Sequence, residues 1–250
     1  ETGADVVMVD LTCRTPPYDR CLCEALESEG VLLDLWAAGC HGDSFSRSGI
    51  DVSRPLDVMV NLSSIPRLRK YLKAFEYILN FLALCGRLLL RPVPIIHFQW
   101  LPLLDVVGIE LFFVRFIQKR GARVVYTVHD VLPLDGEIAE HEKRRFSAVY
   151  RQVDALICHT KTSKKRLVDE FGVDPSKIWH IPHGPLSPQN TGDDESEIPQ
   201  AEGVTGVSDE MPTVVLFGVL RPYKGYDFLL KTWSQVRSQL EDARLVMGGS

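Results

Sequence analysis

The sequence predicts an α/β protein built on a doubly wound parallel sheet, followed by the opening strand, helix and strand of a second domain of the same kind. Three observations predict this. Short apolar, β-branched runs alternate with segments of helical period along residues 5–181, giving at least four strand–helix units, and such alternation folds into a parallel sheet. An acidic, Gly- and Ser-rich stretch then interrupts the pattern at 186–211. From 213 the alternation resumes as TVVLFGVL, a loop carrying two cations, a helical pattern at 226–239 and a further apolar run at 243–247.

Residues 5–11 read as the first strand and 18–30 as the first helix, with Leu22, Ala25 and Leu26 as its apolar stripe and Gly30 as its stop. The intervening TCRTPPY has no G-x-G-x-x-G, and no P-loop occurs elsewhere, so a dinucleotide or P-loop nucleotide enzyme lacks its main signature. Residues 31–36 read as the second strand and 57–61 as the third, joined by a polar connection. The pattern changes at 66–90. Leu68, Leu72, Phe75, Leu79 and Leu82 recur at helical spacing, while Arg67, Arg69, Lys70, Lys73 and Arg87 form a basic flank. Glu76 and Asn80 interrupt the stretch, which argues against a spanning helix. Two readings stay open: a helix that covers the sheet, or a peripheral membrane contact through 67–87 with its basic residues toward anionic lipid.

A strand at 95–100 ends in HFQW, a helix at 103–120 closes at Gly121, and a strand at 123–129 reads RVVYTVH. A charged helix at 137–152, a strand at 155–159, a helix at 162–171 stopped by Gly172 and a strand at 177–181 complete the first domain, which runs out through IPHG at 181–184. Ligands of such sheets lie beyond the carboxyl ends of the strands. His97, Gln99, His129 and Asp130 fall at such ends, and Arg14 and Tyr18 lie in or beside the first turn. Arg14 is either a phosphate contact or an exposed loop arginine; Asp130 suits a turn or helix cap.

The loop after residue 217 carries the clearest chemistry. Gly218, Arg221, Pro222, Lys224 and Gly225 stand between a buried-type strand and a helix start, where unpaired backbone N–H groups gather, and together these make an anion site. Net charge is −5 over 250 residues, with no general case for nucleic acid as a partner. Seven of the 33 acids lie in 186–211, leaving 26 against 28 Lys and Arg in the remainder. The six cysteines, Cys13, Cys21, Cys23, Cys40, Cys85 and Cys158, show neither zinc-type spacing nor the density of a disulfide framework, so reduced thiols and a cytoplasmic setting are expected. No metal-ligating cluster is visible. Residues 1–3 stand apart from the fold pattern.

The order FG, RPYKG, apolar helix resembles the start of the second domain of GT-B glycosyltransferases, particularly the large retaining family 4. The resemblance implies that Arg221 and Lys224 grip the diphosphate of a nucleotide-sugar while Gly218 and Gly225 let backbone approach it. TVHD resembles the strand end that sets a histidine against the sugar, which makes His129 the catalytic candidate. IPHG resembles the exit from the first domain, which places His183 and Gly184 at the hinge side of the donor pocket. Where some members have a glycine pair in the first turn, this chain has Arg14, Pro16, Pro17 and Tyr18.

The implied architecture is a Rossmann-like acceptor domain at 1–185, a connector at 186–211 and the start of a nucleotide-sugar domain at 212–250. The implied activity is metal-independent sugar transfer to a glycan, lipid-linked or small-molecule acceptor, needing no cofactor and located in the cytoplasm or at the inner membrane face. The family's acidic sugar-contacting motif would lie past Ser250, so the 250 residues alone are expected to be inactive. The competing reading is a non-catalytic or split subunit that presents the acceptor-domain surface to a partner chain.

Overall fold

Five consecutive buried residues, VVMVD, form β1 (Val6–Asp10), the strand on which the first part of the chain is assembled. The computed structural model describes residues 3–12, 14–37, 51–53, 66–104, 108–133, 138–184, 211–218 and 221–249. The chain divides into two units, one of 1–133 with 138–188 and one of 134–137 with 189–250.

In the first unit, β1 is followed by α1 (Pro16–Ser28), β2 (Leu33–Ala37), β3 (Asp51–Ser53), α2 (Pro66–Leu90), β4 (Ile95–Phe98) and α3 (Glu110–Lys119). Then come β5 (Arg123–Val128), α4 (Glu140–Gln152), β6 (Ala155–Cys158), α5 (Lys161–Asp169) and β7 (Ile178–His180). The strands form one parallel sheet in the order β3-β2-β1-β4-β5-β6-β7, with Val6 opposite Leu33 on one side and Ile95 on the other. The chain winds from β1 to β3, crosses back through α2 and continues from β4 to β7, so its direction reverses between β1 and β4. That is the doubly wound sheet the alternation predicts, and the reversal opens a crevice at the carboxyl ends of β1 and β4.

Side-chain alternation divides the core. Val7, Val9 and Trp36 join the large cluster with Phe81 and Leu84 of α2, Phe113 and Ile117 of α3 and Tyr150 of α4. Met8, Leu35 and Ala37 point the other way, onto Cys23, Leu22 and Leu26 of α1. Local signals set the helix ends. Pro16 and Pro17 occupy the first turn of α1, where a missing N–H costs nothing, and Gly30 ends it at φ +81°. Thr160 Oγ1 accepts from Ser163 N at 2.9 Å and caps α5.

A strand not read from the sequence is Asp51–Ser53, paired at Asp34↔Asp51 and too short at three residues to show a period; the strand expected at 57–61 lies outside the described residues. Two expectations are corrected. The helix expected from 103 begins at Glu110, because Gly108 sits at φ +69° and the Leu103 N–H donates to Glu110 Oε1 at 2.5 Å, forming a turn. The face of α2 is the second. Its core residues are Tyr77, Phe81, Leu84, Cys85 and Leu88, whereas Leu68, Phe75 and Leu82 of the apolar stripe read from sequence are exposed. Arg87 is not part of a free basic flank, since it pairs with Asp34 and lies 5.3 Å above the Trp36 ring.

The second unit holds β8 (Thr213–Phe217), a 3₁₀ turn (Pro222–Lys224), α6 (Tyr226–Gln239) and β9 (Arg244–Gly248), with β8 and β9 parallel from Thr213↔Arg244 to Phe217↔Gly248. Among its described residues Ala243 alone is buried, and Val215, Phe217 and Phe228 are exposed. The connector stretch 186–210 lies outside the described residues.

Candidate active site

At the carboxyl end of the first unit's sheet, residues from five elements meet around Tyr18. The Tyr18 ring lies 5.0 Å from His129, 5.2 Å from His159 and 5.2 Å from His183. His129 stacks on Trp100 at 4.7 Å with the planes 13° apart, and the Arg14 guanidinium lies 4.9 Å from the Trp100 ring. Trp100 Nε1 donates to Thr15 Oγ1 at 3.1 Å, which takes that hydroxyl away from capping α1. The parallel register explains the convergence: β4, β5, β6 and β7 end side by side, and α1 starts over the crevice next to β1.

Beneath the rings runs a buried polar layer. His97 Nε2 is 2.8 Å from Thr127 Oγ1, Gln99 Nε2 is 3.5 Å from His97 Nε2, and Gln99 Oε1 is 3.2 Å from His129 Nε2. Asp10 is fully buried at the end of β1, and its Oδ1 accepts from both the N–H and the hydroxyl of Thr12. Burial sets the protonation. It pulls His97 down to about 4, and it pulls His129 down to about 3 with help from His159, His183 and His97 against the opposing Asp10 carboxylate. Burial also raises Tyr18 to about 12, a hydrogen bond with Thr127 acting the other way. The Asp130 carboxyl is raised by partial burial, with Arg14 opposing.

Stability should depend on pH through His97 and His129. Both imidazoles have folded-state pKa values below the ordinary 6.5, so as pH falls the unfolded chain takes up these protons first. The stabilisation from keeping them neutral is present above about pH 6.5 and is lost as pH falls toward 4, by about 2 kcal/mol per histidine at pH 5. Urea unfolding at pH 7 and pH 5 measures it, and His129→Gln should halve the slope. An unchanged midpoint across that range would show both rings charged in the folded protein.

Of the residues expected at the mouth, Tyr18, His97, Gln99, His129 and His183 are brought together, and Arg14 joins them through Trp100. Asp130 has an exposed side chain. Gly184 is exposed and has no left-handed φ, so its backbone does not require a glycine. Sequence reasoning missed Trp100, Thr127 and His159. His159 follows β6 as His129 follows β5, and Trp100 closes the HFQW run, so position after a strand was the available signal.

In the second unit the loop after β8 is built by glycines. Gly218 sits at φ +134° and its N–H donates to Gly248 O at 2.9 Å, and Gly249 at φ +149° packs so tightly that an added Cβ would meet Gly218 O at 1.9 Å. The Tyr226 hydroxyl donates to the Gly218 carbonyl at 2.9 Å. Gly225, at φ +75°, is the N-cap of α6 and brings no side chain to it, leaving first-turn N–H groups available to a ligand. Arg221 and Lys224 precede that turn with exposed side chains. Among the described residues no group of three or more His, Cys, Asp or Glu is placed to hold a metal ion.

Residues 20–184 match the profile of Glycosyltransferase Family 4. A glycosyltransferase from Rickettsia africae ESF-5 superposes with TM-score 0.62 at 12% identity, covering 99% of this chain and 69% of that one. HepE from Anabaena, solved with UDP-glucose, gives 0.57 at 13% identity over 98% and 69%. A putative UDP-N-acetylglucosamine 2-epimerase from Listeria monocytogenes gives 0.61 at 13% identity over 98% and 62%. No match was found among curated protein sequences.

Proposed function

The chain belongs to Glycosyltransferase Family 4, and from that membership we propose that it transfers a sugar from a nucleotide-diphosphate sugar to a glycan, lipid-linked or small-molecule acceptor, with retention of anomeric configuration. The observation that carries the reading is the glycine-capped start of α6, preceded by Arg221 and Lys224. Breaking the bond from the anomeric carbon to the diphosphate puts negative charge on the departing phosphate. Fixed cations and a helix N-terminus that meet this charge lower the barrier more than they tighten ground-state binding. Arg221 suits two phosphate oxygens at once, and Lys224 supplies a compact point charge. These groups do the electrostatic work that a divalent ion does elsewhere, so the proposed reaction needs no metal or other cofactor.

His129, neutral at physiological pH, hydrogen-bonds a sugar hydroxyl and orients the reacting centre without bringing charge to it. The free thiols Cys21, Cys23, Cys85 and Cys158 suit a reducing, cytoplasmic setting. Offering the intact protein a panel of nucleotide-diphosphate sugars, with product anomers read by NMR, tests the proposal. No transfer from any donor removes it, and inverted products remove the retaining assignment.

The proposed acceptor side extends to a lipid surface through α2. Leu68, Phe75, Leu82 and Leu89, at seven-residue intervals, are each about half exposed, between 47% and 52%, and so form an outward apolar line. Among the described residues no helix is long and apolar enough to cross a membrane. Apolar insertion of this line carries the proposed attachment, so salt weakens it little. The intact protein should float with vesicles containing anionic lipid at low and high salt, and the pair Phe75→Glu and Leu82→Glu should abolish flotation without lowering Tm. Failure to float at either salt ends this reading.

A further inference from the structure

We infer that Gln99 and His97 are positioning residues, which through the series Thr127, His97, Gln99, His129 hold His129 in the tautomer protonated on Nε2 and leave Nδ1 as its hydrogen-bond acceptor. Burial separates their role from substrate contact: Gln99 is 0% and His97 5% exposed, and the Gln99 backbone N–H is tied to Val9 O at 3.0 Å. A buried amide needs partners at both ends, because a buried polar group left unpaired forfeits its hydration with nothing in return.

The direction of each bond then follows from what each atom can donate. The Gln99 amide nitrogen stands 3.5 Å from His97 Nε2, and an amide nitrogen only donates, so His97 Nε2 is a lone pair there. The Thr127 hydroxyl, 2.8 Å from the same atom, therefore donates to it, and reversing the amide would set oxygen against that lone pair. This leaves Gln99 Oε1 facing His129 Nε2 at 3.2 Å, and an amide oxygen only accepts. His129 Nε2 must carry the hydrogen.

The surroundings keep the ring neutral. Of the groups facing it, Asp10 on β1 favours a proton, while His97 on β4, His159 after β6 and His183 after β7 oppose one; Tyr18 on α1 and stacked Trp100 exclude water. His129 therefore accepts a hydrogen bond at Nδ1 and does not donate one there. The meaning of that acceptor for a sugar hydroxyl rests on the proposed transfer reaction, but the tautomer itself does not.

Long-range proton–nitrogen correlation spectra of the ¹⁵N-labelled intact protein at pH 7, without sugar or nucleotide, test the inference. The expected result is a protonated Nε2 and an unprotonated Nδ1 on His129. Gln99→Leu should give a mixture of tautomers. Gln99→Glu, which keeps the volume but sets a carboxylate against the ring, should raise the His129 titration midpoint by roughly one to three pH units. A protonated Nδ1 in the wild type overturns the inference, as does an unaltered pure tautomer in Gln99→Leu. Should Gln99→Leu fail to fold, the wild-type spectrum and the Gln99→Glu midpoint decide, an unmoved midpoint counting against it. The expected tautomer in a protein that transfers no sugar would sink the transfer reading and leave this one standing.

Discussion

Arg221→Ala and Lys224→Ala should each lower kcat/KM for a nucleotide-diphosphate sugar by about 30- to 1000-fold, on the order of 2–4 kcal/mol of transition-state stabilisation. Each cation stands just before a helix start whose glycine cap leaves its N–H groups open, so each would meet charge that grows as the glycosyl bond breaks. Both side chains are exposed, so Tm should hold steady while turnover and nucleotide-diphosphate affinity fall together. Steady-state kinetics with calorimetric binding measure both quantities. Wild-type values in both variants would remove the donor assignment.

Phe81→Ala should destabilise the protein by about 3–5 kcal/mol, lowering Tm by roughly 6–20 °C. Phe81 is fully buried and stacks on Phe113 at 4.3 Å and Phe98 at 5.4 Å, so truncation leaves a cavity walled by two rings that pack on each other through it. The neighbouring Leu82→Ala, on the outward face, should cost under about 1 kcal/mol. Urea melts of the two variants compare the faces directly. Equal losses would mean that α2 is turned differently on the sheet.

Much of the fold could be read from the order of residues, because parallel strands are buried on both sides and show as runs such as VVMVD and RVVYTV. The face of α2 could not. That helix carries apolar residues nearly all round, and periodicity registers a stripe without saying whether it faces protein or solvent; Phe75 and Phe81 look alike until the sheet is in place. The start of α3 was hidden because Gly108 interrupts a run that is apolar on both sides of it. At the site, His97, Gln99 and His129 were legible as strand-end residues, since topology puts strand ends at the crevice. Trp100 and Thr127 were not, because their roles come from what lies above and beside them: Trp100 matters as the plate under His129, and Thr127 as the hydroxyl between Tyr18 and His97.

Pro16 and Pro17 also bear on what the first unit refuses. A helix opening over the crevice of a doubly wound sheet ordinarily offers a fan of amide protons to a phosphate. Here two of the first-turn amides do not exist, and the next but one, at Asp19, is already bonded to the Thr15 carbonyl at 3.0 Å. Tyr18 has the one amide left in that turn. The fold thus keeps the shape of a nucleotide cradle while the start of α1 offers a phosphate few free amides to hold it.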